Sequence, residues 1–159
     1  MTTYNATKMA AGIQPRALPT GIVPVISTFL MTVAAKLATN DLVNMLNIEG
    51  DPAIIGGGPS ITGMALDCDQ IDTGAGVVLA LGDATTANRY ITGSTVGQAG
   101  GYATPNQAGV LGYQPFLTTF NAYPTASLAL YTIVLKATTG VTTGQLGTIR
   151  VKAEYTYDP

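Results

Sequence analysis

Histidine and tryptophan are missing from this sequence, and cysteine occurs once, at Cys68. Without imidazole there is no His-based catalytic triad, no His-ligated metal and no proton shuttle titrating near neutrality. A single cysteine allows neither an internal disulfide nor a Cys-based zinc site. Charge is scarce as well. Only 10% of residues are Asp, Glu, Lys or Arg, against about 25% in an average globular protein. The seven Lys and Arg are scattered singly and the net charge is −2. No basic cluster is available to neutralise phosphates, so no nucleic-acid partner is expected. The longest apolar stretch, residues 26–38, is broken by Ser27, Thr28, Thr32 and Lys36, which makes it too short and too polar to cross a bilayer. Residues 1–20 contain no apolar signal-peptide core. The expectation is a soluble, non-secreted chain without membrane contact.

What is present points to one domain. The 159 residues include 24 Thr, 21 Ala and 19 Gly, and 47% are hydrophobic. A chain of this length buries about two-thirds of its unfolded surface, enough for a core without staples. Low charge with high apolar content argues against intrinsic disorder. It also predicts a largely neutral surface, of the kind that another surface covers.

Residues 1–24 carry Pro15, Pro19 and Pro24 and no hydrophobic period. Proline fixes φ and removes a donor, so a helix or central strand is disfavoured. The expected organisation is an extended N-terminal arm over residues 1–24, followed by a β-sandwich over residues 25–159. The arm is either a frayed tail or a segment that orders on a neighbouring subunit, in which case Tyr4, Ile13, Leu18 and Ile22 are the side chains that would anchor it. Residues 25–38 fit both a helical and a strand period, but their β-branched and Thr content favours a strand. Residues 42–48 form a second strand after the Asn40-Asp41 turn. Residues 60–71 and 76–81 are strands around Asp72-Thr73-Gly74, as if in a hairpin. Arg89-Tyr90-Ile91 is an edge strand or a helical turn, residues 108–117 a weak strand, and residues 126–137 a strong one. Residues 148–157 alternate most clearly: Ile149, Val151, Ala153, Tyr155 and Tyr157 share one face, and Arg150, Lys152, Glu154 and Thr156 the other. Seven or eight short strands with turn residues between them predict an all-β, two-sheet sandwich of jelly-roll type.

Candidate chemistry is thin. Asp67, Asp69 and Asp72 are the acidic cluster a calcium ion would use. The EF-hand spacing fails at Ile71, so solvated strand-end carboxylates and an Asx turn explain them better. No serine lies in a nucleophile elbow. Gly97-Gln98-Ala99-Gly100-Gly101 lacks the following Lys-Ser/Thr of a phosphate loop. Cys68 alternates with Met64 and Leu66, as a buried apolar residue does. Tyr102, Tyr113 and Tyr123 lie near Gly/Pro loops and are candidates for partner contact. No metal and no organic cofactor is expected, and no enzymatic activity.

Four stretches carry a resemblance: Asp72-Thr73-Gly74, then Val77-Val78-Leu79-Ala80-Leu81-Gly82-Asp83, then Asn88-Arg89-Tyr90-Ile91, then Val96-Gly97-Gln98-Ala99-Gly100-Gly101. With the closing Gly147-Thr148-Ile149-Arg150-Val151-Lys152-Ala153-Glu154-Tyr155, they resemble small capsid decoration or cement proteins of tailed bacteriophages. The resemblance covers most of residues 25–158 and leaves the arm aside. It implies a non-enzymatic virion structural protein, made in the host cytoplasm and held on the outer capsid surface. Its partners there would be the major capsid protein and neighbouring copies of itself. Another phage structural sandwich, such as a head-fibre base, tail component or shell subunit, is the alternative, and a carbohydrate-binding module a more distant one.

Overall fold

The computed structural model describes residues 1–6, 23–49, 59–105 and 130–157. Within them lie nine strands: β1 (Thr3–Asn5), β2 (Val23–Met31), β3 (Leu42–Glu49), β4 (Pro59–Cys68), β5 (Val78–Asp83), β6 (Ile91–Ser94), β7 (Gly101–Ala103), β8 (Leu130–Thr139) and β9 (Gly147–Tyr157). A single helical turn, α1 (Val96–Ala99), precedes β7. One sheet has the order β1-β3-β8-β5-β6 and the other β2-β9-β4-β7. Setting β1 aside, 3-8-5-6 facing 2-9-4-7 is the two-Greek-key arrangement of a jelly roll. The expected all-β sandwich is what the chain forms.

Alternation fixes which side of each strand faces in. On β9, Ile149, Val151 and Ala153 are fully buried while Lys152 is exposed, as the sequence pattern requires. Met64, Leu66 and Cys68 of β4 meet Ile133, Leu135 and Ala137 of β8 in one core, with Leu79 and Leu81 of β5. Ser27 is the polar exception. It faces inward from β2, wholly buried, and its hydroxyl donates to the Met45 carbonyl of the opposite sheet. That carbonyl sits where the β3–β8 register slips between Asn44 and Leu46. A bulge breaks the ladder locally, and the hydroxyl satisfies what the ladder does not.

Four expectations need correction. Residues 60–81 do not form a hairpin: β4 pairs with β9 and β7, whereas β5 pairs with β8 and β6 in the other sheet. Periodicity identifies the strands but not the sheet each joins, and residues 69–77 carry the chain across. The strand starting near Val25 ends at Met31 rather than Ala38. Thr32 turns the chain there, its carbonyl and hydroxyl both accepting from Ala35 N–H. Leu37 then folds back into the core. The glycine-rich segment at residues 97–101 is not plain loop but α1 followed by β7. Finally, residues at both ends of the expected arm belong to the sheets. Thr3–Asn5 pairs in parallel with Leu42–Asn44, and Val23 and Pro24 open β2. The strand expected at residues 108–117 lies outside the described residues.

Candidate interaction surface

Four loops meet at one end of the sandwich, at residues 32–41, 69–77, 95–100 and 140–146. Asp72 is their hub. It is buried completely, and its carboxylate accepts from the backbone N–H of Gly74, Gly76, Val77, Thr142 and Thr143 at 2.7–3.1 Å. The Thr142 hydroxyl adds a sixth donor at 3.0 Å. Burial by itself pushes this carboxyl up. The N–H groups of Thr142, Thr143, Gly74 and Gly76 outweigh it and hold the group far below the ordinary carboxylate range. Glutamine side chains tie in the remaining loops: Gln70 donates to the Gln98 carbonyl, Gln98 to that of Val77 and Gln145 to that of Gln70. Lys36 Nζ donates to the Thr142 carbonyl at 3.3 Å. The result is a braced end built mostly from neutral groups.

The acidic trio therefore does not assemble. Asp72 spends its oxygens on backbone donors. Asp67 and Asp69 lie near the end of β4, where Arg150 Nη1 reaches both at 3.0 and 3.2 Å. The N–H of Thr148, then Arg150, hold Asp69 below its ordinary value. Among the described residues no group of three His, Cys, Asp or Glu side chains is placed to hold a metal ion. Burial, with Asp69 and Asp67 nearby, pushes the Cys68 thiol up to about 12, so the thiolate is not available for chemistry.

The outward face of the β2-β9-β4-β7 sheet is the most distinctive surface. Register places Thr28, Arg150, Asp67 and Tyr102 side by side across its four strands. Next to that row, Lys152 Nζ meets Glu154 Oε1 at 2.6 Å. Each charge on this face thus has a partner within the chain, with Arg150 shared by two carboxylates. Exposed apolar side chains frame them: Ile26 (51%) and Leu30 (56%) on β2, and Tyr102 (67%) on β7. Val33 and Leu146 continue the apolar rim beyond the Met31–Gly147 pair. The opposite sheet presents Asn47 bonded to Thr132, and Asn44 bonded to Asn5. Over Gly82 and the buried Val134 beside it, the loop at residues 84–90 folds back onto that sheet. Asp83 fixes the loop by accepting from Thr85 and Thr86 N–H and pairing with Arg89.

Of the expected partner contacts, Tyr102 is exposed on the framed face. Tyr4 is engaged within its own chain, its ring tilted against Phe29 at 5.8 Å and its hydroxyl 3.5 Å from Asp41 Oδ2. Ile13, Leu18, Ile22, Tyr113 and Tyr123 lie outside the described residues. Sequence reasoning missed Asp41, which holds the β1 end of the chain. It is buried and accepts from Thr2 N–H at 2.6 Å and Ala38 N–H at 2.9 Å. Its signal was the Asn40-Asp41 pair, read only as a turn; Asn40 does adopt φ 69° there.

No protein family and no curated protein matches this chain. Two solved structures do. A chain in the capsid of Ralstonia phage GP4 aligns with a TM-score of 0.68 and 20% identity, covering 99% of each chain. A chain in the cyanophage Pam1 capsid asymmetric unit aligns with a TM-score of 0.58 and 21% identity, covering 92% of this chain and 95% of that one. Both alignments run through nearly the whole length, so the jelly roll seen here has the fold of chains found in two phage capsid structures.

Proposed function

We propose that this chain is a non-enzymatic virion structural protein, bound to the outer surface of a phage capsid lattice as a decoration or cement protein that bridges and stabilises major capsid subunits. The observation that carries the reading is the outward face of the β2-β9-β4-β7 sheet, whose charges are paired internally and whose rim is apolar. Such a face costs less to cover than one with isolated charges, because breaking or lacking the partner of a buried charge is the more expensive case. Its place on a fold shared with chains of two capsid structures supports the same reading. Many modest contacts repeated over a lattice then supply avidity. In this reading residues 1–24 include the segment that reaches neighbours, with Ile13, Leu18 and Ile22 as anchors. Tyr102, Tyr113 and Tyr123 add contacts from the sandwich. No cofactor takes part.

The test is reconstitution. Purified protein is added to phage particles that lack it, and occupancy is read by cryo-electron microscopy. Saturable density outside the shell, with a higher temperature of DNA release, is the expected result. Particles that cannot close without the chain would make it a shell subunit instead, and absence of binding would remove the reading. The triple variant I13S/L18S/I22S should keep its thermal unfolding and lose most of its occupancy. Full occupancy by that variant would confine the contact to the sandwich.

A further inference from the structure

The two sheets have four edges, and three are short: β1 and β7 have three residues each and β6 has four. The fourth, β2, has nine. Sheet edges are normally blunted by charge, bulges or brevity, because open N–H and C=O groups invite another strand. From Val23 to Met31 there is no charged residue, and the register with β9 runs without a slip. Pro24 is the only edge-protecting residue, and it sits at the start. Among the described residues nothing pairs with the outer side of β2.

The direction of its free groups follows from the neighbouring strands. Thr148 gives its carbonyl to Asp69 N–H, so the even residues of β9 point toward β4 and the odd ones toward β2. Ile149, Val151 and Ala153 oppose Phe29, Ser27 and Val25. Ile26, Thr28 and Leu30 therefore aim their N–H and C=O away from the sheet. Pro24, which has no N–H to give, falls in the same set, as a proline on an edge strand should.

We infer that β2 pairs antiparallel with β2 of a second copy of this chain, about a two-fold axis through Thr28, joining two four-stranded sheets into one of eight strands. The inference stands on the sheet edges alone and does not depend on shell binding. Self-pairing suits this strand for a definite reason. In that register Thr28 faces Thr28 of the mate, and Ile26 faces the mate's Leu30 on the same outward face. Apolar meets apolar, and no like charges are brought together. The flanking Arg150, Asp67, Lys152 and Glu154 already have partners within their own chain. Three residues per chain then complete their backbone hydrogen bonds. The contact is isologous, so it closes at two copies rather than growing into a fibre. The strand is only about 30 Å long, so association should be weak when the protein is dilute.

Disulfide trapping tests it on the intact chain. Thr28→Cys would place two thiols across the axis with Cα atoms about 5.5 Å apart, within disulfide reach. The native Cys68 is buried and stays silent. Mild oxidation at about millimolar protein should give covalent dimer from T28C, and none from the control Lys136→Cys on the other sheet. Ile26→Glu alone should raise the dimer dissociation constant about tenfold or more. The double variant I26E/L30K sets opposite charges against each other across the axis, and should recover most of that loss. A T28C protein that stays monomeric overturns the inference, whether residues 7–22 or a different protein covers the edge. Failure of the double variant to recover association, with circular dichroism unchanged, overturns the register.

Discussion

Thr142 gives both its backbone N–H and its hydroxyl to the carboxylate of Asp72, seventy residues earlier in the chain, at 3.1 and 3.0 Å. The pair joins the β4–β5 crossing to the β8–β9 turn, and so fastens one sheet to the other at the braced end. The carboxylate is buried, and among the described residues no cation pairs with it. Its partners are dipoles, arranged as a nest of backbone donors.

Replacing Asp72 should therefore be among the most damaging single changes. Asp72→Ala leaves the buried N–H of Val77 and four part-buried N–H groups without their acceptor, and an unsatisfied buried group costs about 1–3 kcal/mol. A loss of about 3 kcal/mol would lower the melting temperature by roughly 6–12 °C in a domain of this size. The pH dependence has a fixed sign. Because folding lowers the Asp72 pKa, its stabilisation is complete above the ordinary value of 3.8 and disappears as pH falls through the lower, folded value. Asp72→Asn should flatten the acid side of the stability curve below about pH 4. Thermal melts of both proteins from pH 2 to 7 measure this, and an unchanged acid slope in D72N would contradict it.

Gly82 should tolerate no side chain. A Cβ there would lie 2.0 Å from the Thr86 carbonyl oxygen and 2.4 Å from the Ala87 carbonyl carbon. These are backbone atoms, and the loop that carries them is fixed by Asp83 and Arg89. Gly82→Ala should cost about 1–3 kcal/mol, as overpacking does, and Gly82→Val more. Denaturant titration checks the order, with Gly93→Ala as a near-neutral control, since its nearest neighbour is 3.5 Å away.

Arg150 should separate stability from binding. Its ion pairs with Asp67 and Asp69 are largely exposed, and such pairs contribute about 0–1 kcal/mol. Arg150→Ala should leave the melting temperature within a few degrees of the parent. It would also leave two carboxylates unpaired on the framed face. Occupancy on particles should then fall by about tenfold or more, a cost of about 1.4 kcal/mol. Equal occupancy would show that this face points away from the shell.

Strands were more legible than their partners. Residues 148–157 announced themselves because one face is apolar and the other charged, and a period of two is readable without any partner. Residues 25–38 were harder. Thr32 ends β2 by bonding to Ala35, an event that leaves hydrophobicity unchanged along the sequence. Whether β4 and β5 share a sheet depends on the length and bracing of residues 69–77, and those depend on Thr142 and Thr143, far away in sequence. The acidic cluster misled for a similar reason. Asp67, Asp69 and Asp72 are close in sequence, but β4 ends between Asp67 and Asp69, and a turn directs Asp72 into the core. The framed face was half visible. The alternation predicted Arg150 and Lys152 outward, but only register could set them beside Asp67 and between Ile26 and Tyr102.

The strand order also governs when this protein can be born. β9 occupies the middle of its sheet, between β2 and β4, and its partners on β2 precede it by more than a hundred residues. Pairings so distant in sequence fold slowly, because the intervening chain must be closed before any contact rewards it. While Gly147–Tyr157 is still inside the ribosome, β2 and β4 have nothing to stand between them. Their apolar sides face solvent in the meantime, the hazard that chaperones exist to cover. This sheet consequently cannot close until β9 has been made.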